Sequence, residues 1–211
     1  MSLLIVASTA FEIAPLVERY PDEDYLVTGV GIPSTFFQIM SRLEKQQYSH
    51  IVQVGVAGSY DKSLHIGEVV FVKSDCFGDC GLLQNGQLTS YFDMGLADAN
   101  GFPFAAGELM NTESLDSLKD LKSVKGITVN LMSTQSPYIE LLQTTHGGSV
   151  ETLEGAVLHY ICLLKNMSFS QIRGISNYVG ERDKTKWNMN DAILKSNQIA
   201  MNVVHEIRNK Y

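Results

Sequence analysis

Cysteine is scarce in this chain. Cys76, Cys80 and Cys162 are an odd three without paired spacing, which argues against a disulfide framework and for free thiols. Cys76 and Cys80 stand close together in CFGDC with no histidine at ligand spacing, and the 5 histidines are scattered without an HExxH pattern, so neither zinc nor another metal is expected. Cations are short as well: 16 Lys and Arg against 23 Asp and Glu leave a formal charge of −7. A chain with no basic stripe is poorly equipped to neutralise a phosphate backbone, so the expected partner is a small molecule and not nucleic acid. Long apolar runs are also missing. The opening MSLLIVAS is too short for a membrane span and lacks the positively charged start of a secretion signal. It reads as the first strand of a cytoplasmic protein with no membrane partner. No internal repeat, low-complexity tract or linker divides the chain.

What is present fits one sizeable core. The 211 residues are 45% hydrophobic and 18% charged, the composition of an ordinary globular domain spanning 1–211. Short β-branched runs alternate with amphipathic segments, which predicts an α/β fold of sequential strand–helix units. Strands are expected at SLLIVAS, YLVTGVG, HIVQVGVAGS, 67–74, 126–131 and FSQIRGISN. Helices are expected over 11–20, 33–47, 136–146, 152–166 and 190–210, with Pro33 in the first-turn position that proline tolerates. Residues 77–111 interleave Gly, Asp and Asn with aromatics and show no clean period, so they read as a loop-rich insertion.

Ligands of largely parallel sheets bind beyond the carboxyl ends of the strands. Those ends deliver Glu12, Thr28, Gly58 and the group Arg173, Ser176, Asn177. Glu12 has two readings. Thr9 to Glu12 form a capping box that the glutamate completes, yet the same carboxylate stands where it could take a proton from water. Glu154 repeats the ambiguity. Val157, Leu158, Ile161 and Cys162 follow it at helical spacing, which puts it on an apolar face, as either a first-turn acid favoured by the helix dipole or a site carboxylate. Glu151 reads as an ordinary first-turn acid. The turns GVGIPS and GVAGS permit close backbone approach and are weak signals of a nucleotide. Arg173, inside an apolar strand, must meet an anion, either Glu12 or Glu154 in a structural ion pair or something bound. Two carboxylates, an arginine and an asparagine at one sheet edge suit cleavage of a ribose–base bond, because departure of the base leaves positive charge on the sugar.

The strand before Glu12, VTGVG (27–31), VGVAGS (54–59), VETLEGA (150–156) and RGISN (173–177) together resemble the nucleoside phosphorylase and nucleosidase family over nearly the whole chain. The resemblance implies a single α/β domain with a central twisted mixed β-sheet flanked by helices, no cofactor, and a homodimer or higher homo-oligomer. It implies that Glu12 and Arg173 hold the attacking water, that Glu154 binds the ribose hydroxyls, and that Leu153 lies under the sugar, where the family usually has methionine. ASTAFEI has neither the Gly-Asp-Pro nor the arginine with which phosphorylase members bind phosphate, which favours hydrolysis. The adenine-specific members have aspartate where Asn177 stands. An amide can donate a hydrogen bond where a carboxylate only accepts, so Asn177 suits a 6-oxopurine. FDMGLADANGFPF (92–104), GITVN (126–130) and NYVGERDKTKWNMNDAI (177–193) are similar to a subgroup whose substrate carries a benzoate on its 5' side, although Glu181 replaces that subgroup's proline. In such a site Arg182 or Lys184, in the loop 178–190, would face the carboxylate, and Phe102 or Phe104 would line the aromatic pocket. Trp187 reads as a packing residue anchoring the loop. The alternatives are an adenine-releasing nucleosidase and a nucleoside-binding protein without turnover.

Overall fold

The structure, a computed structural model, describes residues 2–210. Met1 and Tyr211, the ends of the expected 1–211 domain, lie outside the described residues. Strand β1 (Leu3–Ala7) is buried at all five positions, as expected of an unalternating apolar run covered on both faces. Helix α1 (Ala10–Arg19) starts at Thr9 with the capping box intact. Strand β2 (Asp24–Val27), helix α2 (Ile32–Lys45) and strand β3 (His50–Ser59) follow, with Pro33 in the first turn of α2. After β4 (Val69–Asp75) come the short strands β5 (Gly81–Gln84), β6 (Gln87–Ser90) and β7 (Leu109–Met110). The chain then forms β8 (Lys122–Thr128), α3 (Ser136–His146), β9 (Val150–Thr152), α4 (Gly155–Leu164), β10 (Ser168–Tyr178) and α5 (Met189–Lys210). No helix among the described residues is long and apolar enough to cross a membrane.

Three sequence expectations need correction. The strand expected over 126–131 runs from Lys122 to Thr128. The helix expected from Thr152 begins at Gly155, because Val150–Thr152 pair with both β3 and β8; a three-residue strand between two partners leaves no period to read. The insertion at 77–111 is not all loop. Asn85 (φ 53°) and Gly86 (φ 75°) take two consecutive left-handed conformations, the requirement of a tight hairpin turn, and join β5 to β6 in a separate two-stranded ribbon.

The main sheet is mixed. β1 pairs in parallel with β2 and β3, and β3 pairs in parallel with β10 from His50↔Ser168 to Ser59↔Tyr178. β10 continues antiparallel to β4, β4 pairs in parallel with β8, β8 with β9, and β9 returns antiparallel to the end of β3. Five strands thereby curl into a closed ring, with β1 and β2 extending from it. Ile13 and Leu16 of α1 and Ala200 and Val203 of α5 share one apolar cluster with Ile5, Val52 and Ile172. On the opposite side Val157, Leu158 and Ile161 of α4 and Ile39 of α2 cluster with Leu4, Val6 and Ile51.

One buried amide fixes α5 against the start of α1. Asn197 Nδ2 donates to the carbonyl oxygens of Glu12 and Ile193, each at 2.8 Å. Replacing Asn197 by Ala removes the side-chain bond that ties α5 to α1 and leaves a void between the helices, and the expected loss is about 1–3 kcal/mol. Urea unfolding should show it as a lower midpoint with an unchanged slope.

Candidate active site

A cavity of about 400 Å³ opens where β1, β3 and β10 end, within the usual range for small-molecule sites. Glu12, Gly58, Leu153, Glu154, Ser176 and Asn177 all contribute to its wall. Glu12 is 7% exposed and serves two purposes at once. Its Oε2 accepts from Thr9 N–H (3.1 Å) and Thr9 Oγ1–H (2.8 Å), completing the cap, while Oε1 accepts from Val56 N–H (3.2 Å) on β3. The cap is therefore formed by a side chain that also lines the cavity.

Arg173 comes from β10, directly beside Gly55 of β3. A Cβ on Gly55 would stand 2.6 Å from Arg173 Nη1 and 2.7 Å from Glu12 Oε1, so only glycine leaves room for these two groups to gather there. Arg173 is 1% exposed, and it forms no ion pair with Glu12 or Glu154. Its Nε and Nη2 find no acceptor within the described protein. A guanidinium is always charged and carries five donors, but this one stays behind the cavity: Arg173 is not part of the wall, and its Nε and Nη2 are buried.

Glu154 is the N-cap residue of α4, not a residue of its first turn, and makes no capping bond. Instead its Oε1 accepts from Gly31 N–H (2.9 Å), which draws the turn after β2 over the cavity. At the end of β10 the register with β3 slips by one residue between Ile175 and Asn177. This bulge breaks the strand's alternation, and both Ser176 and Asn177 reach the cavity wall. Asn177 Nδ2 donates to Tyr178 O (2.9 Å), and Ser176 Oγ donates to Asn177 Oδ1 (2.7 Å). A backbone carbonyl can only accept, so the NH2 group must be on that side. One N–H of Asn177 remains uncommitted.

No protein-family model matches the chain. Over 172 residues, 80% of this chain and 75% of the relative, it is 27% identical to the futalosine hydrolase of Thermus thermophilus. The chain is similar to hydrolases of the nucleoside phosphorylase and MTA/SAH nucleosidase family. Its fold is that of two solved Helicobacter pylori proteins. A futalosine hydrolase mutant superposes with a TM-score of 0.82 at 17% identity, covering 98% of this chain and 99% of that one. A 5'-methylthioadenosine/S-adenosylhomocysteine nucleosidase with butyl-thio-DADMe-Immucillin-A gives 0.82 at 16% identity and 98% coverage of both.

Not every residue that the family pattern singled out reaches the cavity. Thr28 is buried beneath the turn, where its N–H and hydroxyl bond to the Ala7 carbonyl. Phe102 is 74% exposed and away from the cavity, and Phe104 packs on Phe92 and Tyr160 instead. Lys184 is also absent from the wall, while Arg182 is part of it. Trp187 both anchors its loop, by donating to Glu181 O (3.0 Å), and lines the cavity. Phe11, Val30 and Met132 supply the apolar surface missed in the sequence. Large exposed side chains next to Glu12 and the Gly29–Gly31 turn were the available signal. Glu151 lies in β9, 9% exposed, accepting from Tyr60 O–H and from Ser133 N–H (3.2 Å). Burial, reinforced by Glu151, pushes the Tyr60 phenol up.

Beneath the cavity lies a carboxylate that sequence reasoning passed over. Asp75 is 0% exposed and accepts from Cys76 N–H (2.8 Å), Thr128 Oγ1–H (2.9 Å) and Gln171 Nε2–H (3.3 Å). Burial pushes its carboxyl up from 3.8 to about 6, against the pull of those donors and of Arg173. His159, buried nearby on α4, is pushed down to about 4 by burial and stays neutral. Because Asp75 binds its proton more tightly folded than unfolded, its favourable contribution is present below 3.8 and lost as pH rises through about 6. Asp75→Asn should therefore be more stable than the parent at pH 7, by roughly 3 kcal/mol at most. Urea unfolding at pH 4, 5.5 and 7 should show that advantage shrinking towards pH 4.

Proposed function

We propose that the protein hydrolyses the N-glycosidic bond of futalosine, releasing hypoxanthine. Asn177 carries this reading: an amide, held by Ser176 and Tyr178 with one N–H uncommitted, lies in the cavity wall. A 6-oxopurine presents a carbonyl that accepts such a donor. The aspartate of the adenine-specific members would repel that carbonyl, and a mismatch at a buried polar group costs a site much of its affinity.

The reaction needs positive charge on the sugar to be tolerated and a nucleophile to be held. Glu154 binds the ribose hydroxyls from the start of α4, and Leu153 packs beneath the ring. Glu12 takes the proton of a water held jointly with Arg173, whose donors orient it, and the two carboxylates stabilise the oxocarbenium-like transition state. Arg182 is the sole cation of the cavity wall among the described residues. That leaves no cationic cradle for a phosphate nucleophile and favours water.

Arg182 also favours futalosine over a thioether nucleoside. It lies in the loop after β10 and has no ion-pair partner among the described residues, while the neighbouring Glu181 carboxylate is engaged by Lys186 at 2.8 Å. A free guanidinium at the mouth matches the benzoate of futalosine, whereas methylthioadenosine has no anion to offer it. In this reading the enzyme acts in the cytoplasm, in the alternative route to menaquinone, as a homo-oligomer with one catalytic domain per chain.

Incubation with futalosine, methylthioadenosine, adenosylhomocysteine and inosine, with and without phosphate, tests the proposal. Hypoxanthine release from futalosine independent of phosphate is expected. Adenine release with futalosine untouched would overturn it, and ribose 1-phosphate would overturn the hydrolytic route. Glu12→Gln should lower kcat about a hundredfold or more; its amide oxygen can still complete the cap, while its NH2 replaces the acceptor of Val56 N–H, at a stability cost of about 1–3 kcal/mol. Asn177→Asp should reduce kcat/KM on futalosine by about tenfold or more.

A further inference from the structure

Helix α4 is capped from the sheet beneath it. Gly155 N–H donates to Thr152 Oγ1 (3.1 Å), and Ala156 N–H donates to Thr128 Oγ1 (2.8 Å). Thr128 in turn bonds to Asp75 Oδ1 (2.9 Å), and the two threonine hydroxyls are 3.1 Å apart. The chemistry forces one direction on this chain. Ionised Asp75 can only accept, so Thr128 gives its proton to Asp75 and must take the proton of Thr152. The Gly155 and Ala156 amides are thereby both linked to the same carboxylate.

The chain ends where the sugar-binding residues begin. Leu153 and Glu154 span the gap between Thr152 and Gly155, and both flanking residues are bonded into it. Gly155 leaves no slack: a Cβ there would stand 2.2 Å from Gln171 Nε2 and 2.3 Å from Asp75 Oδ2. Because the threonines satisfy the helix amides, the Glu154 side chain is released from capping and reaches Gly31 N–H across the cavity. We propose that Asp75, acting through Thr128 and Thr152, is a positioning residue that sets the place of the Glu154 carboxylate and so governs recognition of the sugar hydroxyls. This rests on the reading of Glu154 as the ribose ligand. Burial disfavours the charged form of Asp75. A group kept against its own solvation is better explained by placement than by stability.

Calorimetry with inosine and 2',3'-dideoxyinosine, in a Glu12→Gln background that suppresses turnover, tests the inference. The parent should prefer inosine by about tenfold, the worth of one or two good hydrogen bonds to a charged acceptor. Thr128→Val and Asp75→Ala should cut that preference to about twofold, leaving the affinity for the dideoxynucleoside nearly unchanged. Thr128→Ser and Asp75→Asn, which keep the hydroxyl and an acceptor, should restore most of it. Variants that retain the full preference would overturn the proposal, as would an equal loss for both ligands, the mark of a merely structural role. If Asp75→Ala does not fold, the Thr128 pair decides, because that hydroxyl is the link between Asp75 and Glu154. A parent that binds both nucleosides alike would instead refute the role of Glu154, and this inference with it.

Discussion

The parallel pairing of β3 with β10 is the constraint on which the site depends. It sets Arg173 beside Gly55 and Asn177 beside Gly58, bringing groups from distant parts of the chain to one end of the sheet. A slip of one residue would turn Arg173 to the other face of the strand. The single permitted irregularity, the extra residue at Ser176, comes where the chemistry requires two successive side chains to face the same space. Upstream of it the strand is regular and buried from Phe169 onward, which makes the bulge a precise offset and not a loose end.

Around this pairing the protein keeps an unusual amount of polarity out of water. Glu12, Asp75, Glu154 and Arg173 are all buried, and isolated buried charges are costly. The compensation is local and uneven. The three carboxylates accept hydrogen bonds from backbone or hydroxyl donors, whereas two nitrogens of Arg173 have no acceptor among the described residues. The unpartnered guanidinium nitrogens are themselves buried, which makes Arg173 the least compensated charge of the group.

Helix starts are the second economy of the fold. At α1 the capping glutamate is also a cavity residue, so the same bonds that begin the helix orient a carboxylate towards Arg173. At α4 the solution is reversed: threonines from β8 and β9 do the capping, and the residue in the N-cap position faces the cavity. Both devices place a carboxylate on rigid backbone, which is how a site gains geometric precision without extra side-chain entropy cost.

Much of this was legible in the chain. Continuous apolar runs marked β1 and β3, and Pro33 and the Thr9–Glu12 box marked two helix starts, because each signal is contained within a few neighbouring residues. Glu12, Glu154 and Arg173 also stood out as candidates, since charge within an apolar segment demands a reason. Other features were not. Asn85-Gly86 signalled a hairpin but sat among polar residues without a period, and Val150–Thr152 became a strand only because two partners were waiting for it. Phe102 carried an aromatic signal yet lies outside the cavity that Phe11 lines. Sequence by itself determined the strand–helix alternation and the residues able to do chemistry, because periodicity and side-chain type are local properties. Tertiary structure alone decided that Arg173 would form no direct ion pair among the described residues and that Asp75 would stand against Gly155, because pairing and burial depend on residues far away in the chain.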